Sequence, residues 1–71
     1  MPFFDYASVA REAGIPDDKL AELVRIMRQE FPGDEMMTDL HVLRACMVIQ
    51  EGRTTIDAIL SRHTAETPSA V

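Results

Sequence analysis

Seventy-one residues with a net charge of −5 allow one domain at most, with a core so modest that association is a common source of added stability. A hydrophobic fraction of 46% is too high for a disordered chain, and there is no run of about 18 apolar residues to span a membrane. Nucleic-acid affinity rests on bases that neutralise phosphates, so an acidic balance argues against that partner and against anionic membranes.

Four helices are expected in chain order. The first runs from Pro2 or Asp5 to Ala13, with Phe3, Tyr6, Val9, Ala10 and Ala13 on one side at helical spacing. Gly14 supplies the left-handed residue that ends it. The second starts at Pro16 or Asp17 and ends at Phe31. Asp17 and Asp18 favour the positive end of its dipole, and Pro32 and Gly33 stop it. Leu20, Leu23, Val24, Met27 and Phe31 form its apolar stripe, opposite Asp18, Glu22, Arg25 and Gln29.

The third helix covers Asp34 to Glu51. Met36, Leu40, Leu43 and Met47 make one face. Met37, Val42, Ala45, Cys46, Val48 and Ile49 cover most of the rest, so ten of the fourteen residues from Met36 to Ile49 are apolar. A helix apolar nearly all round is buried on more than one side. It is therefore expected at the centre, with part of its surface against a second subunit. Gly52 ends it. Thr54 with Asp57 resembles a capping box, with Thr55 as the competing cap. A short fourth helix to about His63 buries Ile56, Ile59 and Leu60. Residues 64–71 lack periodicity and are expected to form a flexible tail beyond a domain of residues 1–63. The expected core is Leu23, Met27, Leu40, Leu43, Met47, Ile56 and Ile59. The fold class is all-α, a small four-helix orthogonal bundle with a helix-turn-helix-like corner.

That corner rests on Ala10, Gly14, Ile15, Leu20 and Leu23: a small residue, a turn glycine, an apolar plug and apolar residues facing back. "VAREAGI", Val9 to Ile15, resembles the first half of the helix-turn-helix unit of the lac-repressor and tetracycline-repressor families. The resemblance covers about fifteen residues and implies a DNA-reading second helix with Lys19, Arg25 and Arg28 as contacts. Those families place serine, threonine and other polar residues at the start of that helix. Here Pro16, Asp17, Asp18 and Lys19 stand there, and two carboxylates repel phosphates and base-edge acceptors. Leu40 to Leu60 suggests the first half of a winged-helix reader, but no long third helix and no wing follow. A helical hairpin closing the bundle accounts for it.

Chemistry has little to work with. His41, Cys46 and His63 show no CxxC, HxxxH or HExxH spacing. Cys46 has apolar neighbours and reads as an inert core thiol. Asp34, Glu35 and Asp39 crowd a helix start without a glycine-punctuated calcium loop. There is no phosphate-cradling glycine loop. No metal, no cofactor and no enzymatic activity are expected. The N-terminal "MPFFDYASV" lacks a basic flank and does not read as a secretory signal; a single cysteine suits a reducing compartment, so the expected location is the cytoplasm.

The expected function is a small acidic, non-catalytic protein-interaction or oligomerisation module. It forms a homodimer through a lateral strip of Met37, His41, Val48 and Ile49, and another protein partner is open to it. The alternative is a DNA-binding regulator using residues 9–25. A third reading is an acidic inhibitor that occupies a nucleic-acid-binding surface of another protein. It draws on the charge asymmetry: eight acids and four bases in residues 1–35 against four acids and three bases in residues 36–71.

Overall fold

The structure, a computed structural model, describes residues 4–65, with side chains to residue 63. It is all-α: α1 (Tyr6–Glu12), α2 (Asp17–Glu30), α3 (Glu35–Gln50) and α4 (Ile56–Ala65), with no strand among the described residues. No helix among them is long and apolar enough to cross a membrane. Phe3 and the tail from residue 66 onward lie outside the described residues, and α4 runs two residues past the expected end at His63.

The helix ends follow from local chemistry. Asp5 accepts from the Ser8 amide at 3.3 Å to cap α1, and Asp34 accepts from the Met37 amide at 3.1 Å to cap α3. Thr55 Oγ1 accepts from the Ala58 amide at 3.1 Å. The competing cap Thr55 therefore starts α4 in place of Thr54. Asp57, released from the expected capping box, meets Lys19 on α2 instead, with Nζ 2.7 Å from Oδ1. The ends of α1 and α3 share one geometry. The Gly14 amide bonds the Arg11 carbonyl and the Ile15 amide bonds that of Ala10; Gly52 and Arg53 do the same to Ile49 and Val48. Both glycines sit at positive φ, +77° and +81°, as this left-handed helix stop requires.

The buried core is Ala10, Ile15, Leu23, Met27, Val42, Cys46 and Leu60. α3 packs against both α1 and α2, with α4 closing on α2 and α3. Gln50 Nε2 donates to Glu12 Oε1 at 2.8 Å, tying the C-terminal ends of α3 and α1 together. Of the expected core, Leu23 and Met27 are buried, and Ile56 and Ile59 are half-buried but pack on the core. Leu40 and Leu43 are half-buried and Met47 is exposed, which corrects the expected orientation of α3. The helix turns Thr38, Asp39, Val42 and Cys46 inward, with Ala45 and Ile49 beside them. Thr38, Val42, Ala45 and Cys46 are small, and small side chains let two neighbouring helices approach closely. Thr38 fits because its hydroxyl donates to the Asp34 carbonyl at 3.0 Å, leaving its methyl for the core. No buried side-chain nitrogen or oxygen among the described residues lacks a hydrogen-bond partner.

Candidate functional site

The inward turn of the small residues sends the large ones outward. At 100° per residue, the mean direction of Met36, Leu40, Leu43 and Met47 lies roughly 130° from that of the core side of α3. Met36 is 50% exposed, Met47 44% and Val48 38%; these are the exposed large hydrophobic residues of the described chain. Leu40, Leu43 and Met37 are half-buried, and Arg44 is an exposed charge in the same region. The stripe spans about 16 Å of helix on a surface otherwise dominated by polar side chains. Its spacing of four, three and four residues is that of a helix–helix seam.

The strip expected from sequence flanks this face: Val48 is exposed and Met37 half-buried, each roughly 100° around the helix from the mean direction of the stripe. Ile49 is half-buried and packs against the core. His41 is held within its own chain: its ring stacks on Phe31 with centroids 4.4 Å apart and planes tilted by 35°. Its Nδ1 lies 2.9 Å from the Met37 carbonyl. A carbonyl oxygen can only accept, so Nδ1 carries the proton and donates. Periodicity alone places Met36, Leu40, Leu43 and Met47 inside. The signal that turns them outside is the run of small residues at positions 38, 42, 45 and 46, which marks where neighbouring backbones come close.

The residues of the DNA-reading alternative are scattered in their engagements. Lys19 is held by Asp57, whose hydrogen bond and charge raise its pKa above the usual lysine value. Arg25 Nη2 lies 3.4 Å from Glu22 Oε1. Arg28 is exposed in the last turn of α2, and Asp17 and Asp18 occupy the first. Among the described residues no group of three or more His, Cys, Asp or Glu side chains is placed to hold a metal. Cys46 is fully buried, and desolvation raises its thiol pKa. That keeps it in the unreactive thiol form. No known protein family, curated protein or solved structure matches this chain.

Proposed function

We propose that this chain is a small, non-catalytic association module whose outward α3 face packs on the same face of a second copy. The observation that carries it is the outward stripe of exposed Met36 and Met47 with half-buried Leu40 and Leu43 between them. The stripe reads the same in both directions. In an antiparallel pair related by a two-fold axis, Met36 meets the partner's Met47 and Leu40 meets the partner's Leu43, so one surface serves as its own complement. Burying this stripe removes apolar surface from water at about 25 cal/mol per Å² before the costs of association. Methionine suits such a seam, because its flexible thioether fills irregular gaps. The acidic surface of each copy opposes the contact at long range, so added salt strengthens it. Binding to nucleic acid has the opposite salt dependence.

Sedimentation velocity on the unmodified protein and on Met47→Glu tests this reading. The unmodified chain is expected to be dimeric at ~100 μM, where a contact of micromolar dissociation constant is mostly occupied. At that same ~100 μM, Met47→Glu is expected to be monomeric with an unchanged helical circular-dichroism spectrum, since Met47 is outside the core. An unmodified protein that sediments as a monomer at that concentration refutes the reading.

A further inference from the structure

A second stripe runs along α2. A groove of about 410 Å³ lies between Tyr6 on α1 and the outer side of α2, lined by Asp17, Leu20, Ala21, Val24, Arg25 and Arg28. Asp17, Ala21, Val24 and Arg28 lie on one line down α2, spaced four, three and four residues apart. Ala21 leaves the middle shallow enough for close approach. The two ends carry opposite charges, and neither Asp17 nor Arg28 is in an ion pair among the described residues. Arg25, the neighbouring guanidinium, leans toward Glu22 instead.

We propose that this groove is a second docking surface and that its occupant is α2 of another copy, laid antiparallel. In that orientation Asp17 meets the partner's Arg28 at both ends, and Ala21 meets the partner's Val24 at the middle. A parallel arrangement would set Asp17 against Asp17 and Arg28 against Arg28, so the charges select the antiparallel one. This contact is separate from the α3 face. A chain with two self-complementary surfaces whose axes do not coincide assembles beyond the dimer, into a closed tetramer or an open row.

Charge exchange tests the proposal in the Met47→Glu background, where the α3 contact is broken and association reports on α2 alone. All species are compared by sedimentation at concentrations up to ~1 mM, which detects weak contacts. The parent is expected to self-associate. Asp17→Arg and Arg28→Asp are each expected to self-associate on the order of tenfold more weakly, because each reverses one member of two symmetric exposed pairs. An equimolar mixture of the two is expected to recover association, because the guanidinium introduced at position 17 of one chain then faces the carboxylate introduced at position 28 of the other. The variant carrying both exchanges should also recover it. A parent that stays monomeric at ~1 mM overturns the proposal, as does a mixture no more associated than its components. Neither result bears on the α3 contact, which is read in the unmodified protein.

Discussion

Val42 and Met47 stand five residues apart on one helix, and the orientation of α3 assigns them opposite fates. Val42 is fully buried, whereas Met47 is 44% exposed. Val42→Ala removes two methyl-sized groups. Their transfer to water costs about 1.6 kcal/mol at ~0.8 kcal/mol each. The cavity left between α3 and its neighbours raises the total to roughly 2–3 kcal/mol. A domain of this length has a stability of roughly 4–10 kcal/mol at 0.05–0.15 kcal/mol per residue. The substitution should therefore lower Tm by about 10–20 °C, on a scale of about 4–8 °C per kcal/mol for small domains. Met47→Ala removes more atoms, yet should cost less than about 1 kcal/mol, because they are nearly half in water already and alanine favours the helix. Thermal and urea unfolding followed by circular dichroism, repeated over a range of protein concentrations so that self-association is separated from folding, measures both. If Met47→Ala destabilises as much as Val42→Ala, then Met36, Leu40, Leu43 and Met47 face the core and the candidate surface does not exist.

Other consequences are local. Asp34→Ala should cost about 1 kcal/mol in urea unfolding by removing the α3 cap, and Asp34→Ser should restore most of it. Gly14→Ala should cost roughly 1–2 kcal/mol from its φ of +77° alone, since nothing lies within 4 Å of an added Cβ. The Lys19–Asp57 pair raises the folded lysine pKa above 10.5. Its contribution is therefore complete below that value and fades as pH climbs through the raised one; Lys19→Met should abolish this component of the alkaline stability profile. Cys46 should resist a water-soluble disulfide reagent in native buffer and react stoichiometrically in denaturant; rapid native labelling would contradict its burial.

The helices are legible in the sequence because their ends are chemically marked. Gly14, Asp34 and Gly52 act within one turn of themselves, so local reading suffices. The apolar stripe of α2 is equally plain: its polar side of Asp18, Glu22, Arg25 and Gln29 leaves one direction for the core. α3 offers no such direction. With apolar residues on nearly every side, size is the deciding variable, and size matters only through the shape of the neighbours. Thr38 is invisible as a core residue because its hydroxyl is satisfied four residues back along its own helix. The Lys19–Asp57 contact spans 38 residues, a separation that no local spacing rule reaches. The candidate face is legible as a property of the third helix, but its position around that helix is set by packing.

The outward placement of two methionines also determines how the α3 face would meet an oxidant. Peroxide reaches Met36 and Met47, half in water, before it reaches Met27, which is 7% exposed. Conversion to the sulfoxide turns a flexible apolar side chain into a polar one. It would do so here at both ends of the stripe, while leaving the core thioether and the buried Cys46 thiol intact. The surface chemistry of this chain is thus more vulnerable to oxidation than its fold, and a reductase acting on methionine sulfoxide would restore the first without having to rebuild the second.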